Sequence, residues 1–140
     1  MQKNRGFTLV EILVVVVIIG ILSTIVVLNV GGSADQSRQT AAQADVKNLE
    51  QALEIYKLQN GFYPSSQQGL KSLVQRPGGT PEPRVYPEGG YIKALPTDPW
   101  GFDYQYANPG SRGLVDIYSL GSDGQPGGEG TAADIGNWSR

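Results

Sequence analysis

The chain has 140 residues, a formal net charge of −2, and neither Cys nor His. This length suits one small domain with an appendage, and the few basic residues exclude a cationic surface for nucleic acid. The missing Cys excludes disulfides and thiolate metal sites. The missing His removes the commonest general base and transition-metal ligand. The composition therefore argues against an enzyme and leaves an oxygen-bound cation such as calcium open.

The first 30 residues contain a long apolar segment behind a short basic leader. Residues 1–6 carry Lys3 and Arg5, and Glu11 is the only charged residue within residues 7–30. As a helix, these 24 residues would be about 36 Å long, which is enough for a hydrocarbon core of about 30 Å. The segment is predicted to be a transmembrane helix, with its amino end in the cytoplasm because the basic residues precede it.

Two ordinary alternatives for this segment are a secretory signal and a plain membrane anchor. A signal would have a shorter apolar region followed by a small-residue cleavage site, which this segment lacks. A carboxylate within a membrane helix costs about 2.5–3.5 kcal/mol on insertion scales. Glu11 therefore argues against both alternatives and indicates a partner or a function.

The motif Gly6-Phe7-Thr8-Leu9-Val10-Glu11 resembles the leader of type IV pilins and pseudopilins. In that family a prepilin peptidase cleaves after the Gly and methylates the new amino terminus. The resemblance implies removal of residues 1–6, cleavage between Gly6 and Phe7, and N-methylation of Phe7. It also implies that the Phe7 amine neutralises Glu11 of a neighbouring subunit and so fixes the register of a filament.

A second helical segment is predicted over residues 34–60. Five apolar residues at alternating spacings of four and three, which predict one buried helix face, are Ala42, Val46, Leu49, Leu53 and Tyr56. Asn60-Gly61 supplies a helix stop. The pair Gly31-Gly32 is the favoured position for a bend, because each Gly costs about 1 kcal/mol relative to Ala in a helix.

The rest of the chain holds all nine Pro and 15 of the 19 Gly residues, so residues 61–120 are predicted to form loops and a β-hairpin. Ser65 and Gln68 form a capping-box pattern before a short helix that buries Leu70, Leu73 and Val74. Alternating apolar and polar residues at 104–107 and 114–120 predict the antiparallel hairpin. The predicted fold class is α+β, with a long amino-terminal helix packed against a small antiparallel sheet.

The Gly-rich segment 120–138 is the second chemically informative stretch. Asp123 and Asp134 occupy positions 1 and 12 of an EF-hand-like window, but Gln125 and Gly127 replace the oxygen side chains expected at positions 3 and 5. The segment is therefore not predicted to be an EF-hand. Flexible Gly residues would still let carbonyls turn inward beside the two carboxylates. A calcium loop of another kind and a solvated acidic loop both remain open.

Further stretches of this half are similar to the major pseudopilins of type II secretion systems: Tyr63-Pro64, Gln68-Gly69-Leu70, Tyr91-Ile92, Leu95-Pro96, Asp98-Pro99-Trp100-Gly101, Tyr118-Ser119-Leu120-Gly121 and Asp134-Ile135-Gly136-Asn137-Trp138. The similarity implies a type IV pilin-like fold whose long helix is transmembrane in its first half. It also implies one calcium ion bound by the side chains of Asp123 and Asp134 and the carbonyls of Leu120 and Gln125. Thr131 is a further candidate ligand, where many members carry an additional Asp. A head of about 80 residues outside the helix is small enough to need such a fastener.

The same similarity implies a non-enzymatic subunit of the inner membrane, with a single span and residues 31–140 as a periplasmic head. Copies would polymerise into a periplasmic pseudopilus that drives folded exoproteins across the outer membrane. The implied partners are the prepilin peptidase, minor pseudopilins and the inner-membrane assembly platform. One alternative is a type IV pilus subunit or a minor pseudopilin. The other is a membrane-anchored, calcium-dependent binding module that does not polymerise.

Overall fold

The computed structural model describes residues 5–139, except for the side chains of residues 25–30. One long helix, α1, spans Leu9–Asn60. Three short strands follow, β1 (Gln105–Ala107), β2 (Asp116–Ser119) and β3 (Ile135–Gly136). Single 3₁₀ turns lie at Leu70–Leu73, Gly121–Asp123 and Gly130–Ala132. The chain divides into two compact units, Met1–Gln36 and Ser37–Arg140, and the predicted α+β class is confirmed.

The first unit consists mainly of the apolar beginning of α1. Every large apolar side chain between residues 7 and 22 is 49–88% exposed. Within the part of the chain that the structure describes, no helix combines the length and the hydropathy that a membrane crossing requires.

Two sequence predictions concern residues that the structure describes only in part. Residues 1–4 of the predicted leader are outside the described residues. Within the predicted span 7–30, the side chains of residues 25–30 are outside as well. The span and the leader therefore stay predictions.

The second unit buries the predicted face of α1. The five apolar residues of the stripe (Ala42, Val46, Leu49, Leu53 and Tyr56) are all 0–3% exposed, which confirms the periodicity argument. The helix ends at Asn60, and Gly61 adopts a φ of 87°, a left-handed conformation that Gly accepts without steric cost. The stop prediction is therefore confirmed. Gly31 and Gly32 both lie inside α1, so the pair does not end the helix, and a bend there stays a prediction.

The sheet is antiparallel with the order β1-β2-β3. Tyr106 pairs with Ile117 in the first ladder, and Tyr118 pairs with Gly136 in the second. The first ladder confirms the predicted hairpin. The sequence did not indicate β3, because a strand of two residues is too short to show an alternating pattern.

The core forms where α1 meets the hairpin and the loops. Leu49, Leu53 and Tyr56 pack with Leu73 and Ile117 in one buried cluster. Around this cluster lie partly buried aromatic and aliphatic side chains: Phe62, Tyr63, Tyr86, Tyr91, Ile92, Leu95 and Tyr106. This arrangement packs residues 46–56 of α1 against Ile117 of β2, the central strand of the sheet.

The capping box forms as predicted, but the helix behind it is shorter and starts later than expected. The Ser65 N–H donates to Gln68 Oε1 at 3.0 Å, and the Gln68 N–H donates to Ser65 Oγ at 3.2 Å. Gly69 then adopts a φ of 61°, so the helical turn begins only at Leu70. It is a single 3₁₀ turn, Leu70–Leu73, and the predicted third buried residue, Val74, is only half-buried.

Candidate functional site

Thr8 and Glu11 cap the beginning of α1 reciprocally. Glu11 Oε2 accepts hydrogen bonds from the Thr8 N–H at 2.8 Å and from Thr8 Oγ1 at 3.1 Å. Thr8 Oγ1 in turn accepts from the Glu11 N–H at 3.3 Å. This is a capping box. The Thr-x-x-Glu spacing was present in the sequence, but the motif was interpreted only through its resemblance to pilin leaders.

Gly6 and Phe7 precede the helix in exposed chain. Neither residue belongs to a helix or strand, and the Phe7 side chain is 85% exposed. A Cβ added at Gly6 would meet no atom within 4 Å. The peptide bond between Gly6 and Phe7 is therefore accessible to another protein.

Residues 120–138, hereafter the ion loop, fold back on themselves. The two 3₁₀ turns of the loop lie against each other: a Cβ on Gly121 would come within 2.9 Å of the Ala132 carbonyl oxygen. A Cβ on Gly128 would approach the same oxygen to 2.5 Å. Both Gly residues also have a positive φ, 72° and 95°, so a side chain at either position would separate the two halves of the loop.

The two candidate carboxylates of the ion loop have different surroundings. Asp123 is exposed, and its Oδ1 accepts from the Gln125 N–H at 3.0 Å. Asp134 Oδ2 accepts from the Gly127 N–H at 3.0 Å, whereas Asp134 Oδ1 is buried and has no hydrogen-bond partner. A buried oxygen without a partner is costly. A cation at Asp134 Oδ1 would remove that cost, so this residue fits the predicted calcium site.

The candidate Thr131 lies in the same loop, within reach of Ser122, whose Oγ donates to Thr131 Oγ1 at 3.4 Å. Among the residues that the structure describes, no group of three or more His, Cys, Asp or Glu could hold a metal ion. Two carboxylates alone do not complete a calcium shell of six to eight oxygens. The donor set therefore needs hydroxyl, carbonyl or water oxygens, as the sequence prediction with Leu120 and Gln125 requires.

A second loop of the head is organised by a carboxylate that the sequence did not single out. Asp116 is 3% exposed. It accepts hydrogen bonds from the Ser111 N–H and hydroxyl and from the N–H groups of Arg112 and Gly113, at 2.7–3.3 Å. Burial by itself raises the pKa of Asp116, but these hydrogen bonds outweigh burial and hold the pKa below its ordinary value. Asp116 is therefore a structural anion.

Comparison with known proteins identifies the relatives of this chain. The family described as Type II secretion system (T2SS), protein G, matches residues 29–138. The chain belongs to this protein G family. The prokaryotic N-terminal methylation motif matches residues 1–27. The two matches together cover nearly the whole chain, and the predicted family membership is confirmed.

Curated relatives cover almost the full length. The type II secretion system core protein G of Vibrio cholerae is 57% identical over 99% of this chain and 94% of its own length. Core protein G of Pseudomonas aeruginosa is 53% identical over 98% of this chain and 96% of its own length. Each is named as a core protein of a secretion system rather than as an enzyme, in agreement with the sequence analysis.

A solved structure supports the same assignment. The crystal structure of the major pseudopilin from the type 2 secretion system of enterohaemorrhagic Escherichia coli superimposes with a TM-score of 0.70. It is 47% identical and covers 76% of this chain and 87% of the other. The predicted pseudopilin fold is confirmed, and the matches favour the major pseudopilins over the two alternatives considered from the sequence.

Proposed function

We propose that this chain is the major pseudopilin of a type II secretion system. Processed copies polymerise in the periplasm into a pseudopilus that drives folded exoproteins across the outer membrane. The observation that carries this proposal is the match to core protein G relatives along nearly the whole chain. The chain acts as a structural subunit, and no catalytic residue is assigned to it.

Processing is the first step of the proposed function. The prepilin peptidase cleaves between Gly6 and Phe7 and methylates the amine of Phe7. The match of residues 1–27 to the N-terminal methylation motif supports this step, as does the exposure of the chain around the bond. Before cleavage the precursor is held in the inner membrane by residues 7–30, with the head in the periplasm.

Assembly then covers the apolar beginning of α1. Large apolar side chains that are 49–88% exposed cannot remain in water, because each buried Å² of apolar surface is worth about 25 cal/mol. Lipid covers them before assembly, and the helices of neighbouring subunits cover them in the filament. Polymerisation therefore transfers this surface from one apolar environment to another.

Glu11 fixes the register of the subunits. In the proposed filament, the cationic amine of Phe7 from one subunit approaches the carboxylate of Glu11 in its neighbour. An ion pair in an apolar environment is strongly favoured over either charge alone. Each subunit therefore stops at the position where the two charges meet. Minor pseudopilins and the inner-membrane assembly platform are the proposed partners that start and drive this addition.

We further propose that the ion loop binds one calcium ion. The side chains of Asp123 and Asp134, the carbonyls of Leu120 and Gln125, and the hydroxyl of Thr131 would hold it. When bound, the ion supplies a cross-link for a loop that has no disulfide. By linkage it would stabilise the fold by about 2.7 kcal/mol when free calcium is 100 times its dissociation constant.

The function is tested by deleting this subunit from its bacterium and restoring it from a plasmid. Exoproteins are expected to accumulate in the periplasm of the deletion strain and to return to the medium with the wild-type chain. Glu11→Val is expected to be cleaved normally yet to fail in secretion. Mass spectrometry of the amino terminus should find methylated Phe7 in both. Normal secretion by the deletion strain would instead favour a pilus subunit.

A further inference from the structure

We propose that residues 98–102, hereafter the support turn, hold the ion loop in its binding conformation, so that Asp98, Ser119 and Phe102 are positioning residues that set its affinity for calcium. None of the three is a candidate ligand. The inference deepens the calcium proposal above and rests on it for the affinity. The support itself is visible in the contacts between the support turn and the ion loop.

Asp98 closes the support turn from inside the protein. Its side chain is 3% exposed, and Oδ1 accepts from the Trp100 N–H at 3.1 Å and the Phe102 N–H at 2.8 Å. The backbone closes the same turn, since the Asp98 N–H donates to the Phe102 carbonyl at 2.8 Å. The second carboxylate oxygen, Oδ2, is therefore held in a fixed position and directed at another part of the chain.

That other part is Ser119, the last residue of β2. The fully buried Ser119 hydroxyl donates to Asp98 Oδ2 at 2.7 Å and accepts from the Gly121 N–H at 3.1 Å. One hydroxyl thus links the buried carboxylate to the beginning of the ion loop. Leu120, whose carbonyl is a candidate ligand, lies between Ser119 and Gly121, which this hydrogen bond joins.

Phe102 supports the middle of the ion loop. Its ring lies so close to Gly124 that an added Cβ there would come within 2.7 Å of the ring. Gly124 has a φ of 63° and stands between Asp123 and Gln125, both of which are candidate ligands. The ring therefore restricts the backbone at the point where two ligands must point to one ion.

These two supports lower the cost of binding, because a loop that is already ordered loses less conformational freedom when the ion arrives. Outer partners of metal ligands typically change affinity by 10–100-fold when removed. We expect Asp98→Asn, Ser119→Ala and Phe102→Leu each to weaken calcium binding by roughly tenfold. Asn at position 98 keeps the shape of the side chain but can place a donor where Ser119 needs an acceptor.

Asp116 provides a matched control. It is buried to the same extent as Asp98, 3% exposed in each case, and it also accepts backbone hydrogen bonds, but its donors lie in residues 111–113. Asp116→Asn is expected to destabilise the head without weakening calcium binding. If calcium binding fell only because the head is less stable, Asp98→Asn and Asp116→Asn would weaken it equally. A positioning role for Asp98 predicts weaker binding in Asp98→Asn alone.

The experiment uses the full chain in detergent micelles and titrates calcium by calorimetry for the wild type, the three variants and Asp116→Asn. Hydrogen exchange in chelator gives a second readout. Asp98→Asn and Ser119→Ala should speed exchange at the Gly121 amide and leave Gly113 unchanged, and Asp116→Asn should do the reverse.

Equal calcium affinity in Asp98→Asn and the wild type overturns the affinity claim. Unchanged exchange at Gly121 overturns the support claim. If the wild type binds no calcium, the calcium proposal fails together with the affinity claim, while the exchange pattern still decides the support claim.

Discussion

Asn137 is joined to Ile117 of β2 by two hydrogen bonds, as if Asn137 continued strand β3. The Asn137 N–H donates to the Ile117 carbonyl at 3.0 Å, and the Ile117 N–H donates to Asn137 Oδ1 at 3.3 Å. Asn137 Nδ2 also donates to the Val115 carbonyl at 2.9 Å. A single side chain therefore extends the second ladder beyond the two residues of β3, and it fastens the end of the ion loop to the sheet.

Replacing this side chain should weaken the head. Asn137→Ala leaves the buried backbone groups of Ile117 and Val115 without partners, so we expect a loss of about 1–3 kcal/mol in the free energy of unfolding. Urea unfolding of the full chain in micelles measures it. Asn48→Ala, at an exposed position of α1, is the control and should change stability by less than about 0.5 kcal/mol. Equal effects of the two variants would contradict the structural role of Asn137.

Two buried tyrosines should respond oppositely to loss of the hydroxyl. The Tyr104 hydroxyl donates to Asp45 Oδ2 at 2.8 Å, whereas the Tyr56 hydroxyl is buried without a partner. We expect Tyr104→Phe to cost about 1.5–3 kcal/mol, because its acceptor is charged, and Tyr56→Phe to be neutral or stabilising. Thermal unfolding of both variants tests the contrast. A larger loss for Tyr56→Phe would show that its hydroxyl has a partner in solution.

Asp116 should make stability depend on pH in the acidic range. Its pKa is lower in the folded chain than in the unfolded chain, because the donors from residues 111–113 outweigh the effect of burial. The stabilisation is therefore complete above the unfolded pKa and is lost as the pH falls through the folded pKa. We expect Asp116→Asn to lower stability at pH 7 and to approach the wild type as the pH falls below the folded pKa of Asp116. Urea unfolding midpoints of both proteins, measured from pH 7 into the acidic range, test this prediction. A constant difference in stability between the two proteins at every pH would contradict it.

Removing calcium should reveal the role of Asp134. With calcium present, Asp134→Asn is expected to lower the melting temperature, because a ligand charge is lost. In chelator the same variant should not be destabilised, since Oδ1 of the wild type is then a buried oxygen without a partner. Glu129→Gln, an exposed change in the same loop, should have no effect in either condition. Equal shifts in the melting temperature of Asp134→Asn with calcium and with chelator would contradict calcium binding by the ion loop.

The parts of the fold that follow from periodicity were predictable from the sequence. The buried face of α1 around Leu53 and the hairpin that pairs Tyr106 with Ile117 both rest on repeating patterns that extend over several residues. The helix stop at Asn60 and the Ser65 capping box depend on local signals only a few residues apart.

The connections between loops could not be predicted in this way. Asp98 and Ser119 are 21 residues apart, and nothing in the sequence of either loop specifies the other as its partner. The sequence around Asp116 likewise does not indicate that its side chain accepts hydrogen bonds from the backbone N–H groups of the preceding turn. Such contacts form only because of how the Gly- and Pro-rich loops are placed in the folded protein. The spacing of Asp123 and Asp134 in a Gly-rich segment left a calcium loop open, and family resemblance supplied the full ligand set, whereas the unpaired oxygen of Asp134 is a property of the fold.

The cap at the beginning of α1 has a consequence for how a filament exchanges its subunits. In the isolated chain, the Glu11 carboxylate already has two donors from Thr8. In the filament proposed above, a neighbour's amine would compete with this intact cap, and the new contact would gain only the difference between the two states. A subunit outside that filament keeps its own cap and does not expose a bare carboxylate. The pairing of Glu11 with a neighbour would therefore gain less than the pairing of a carboxylate that had no donors beforehand.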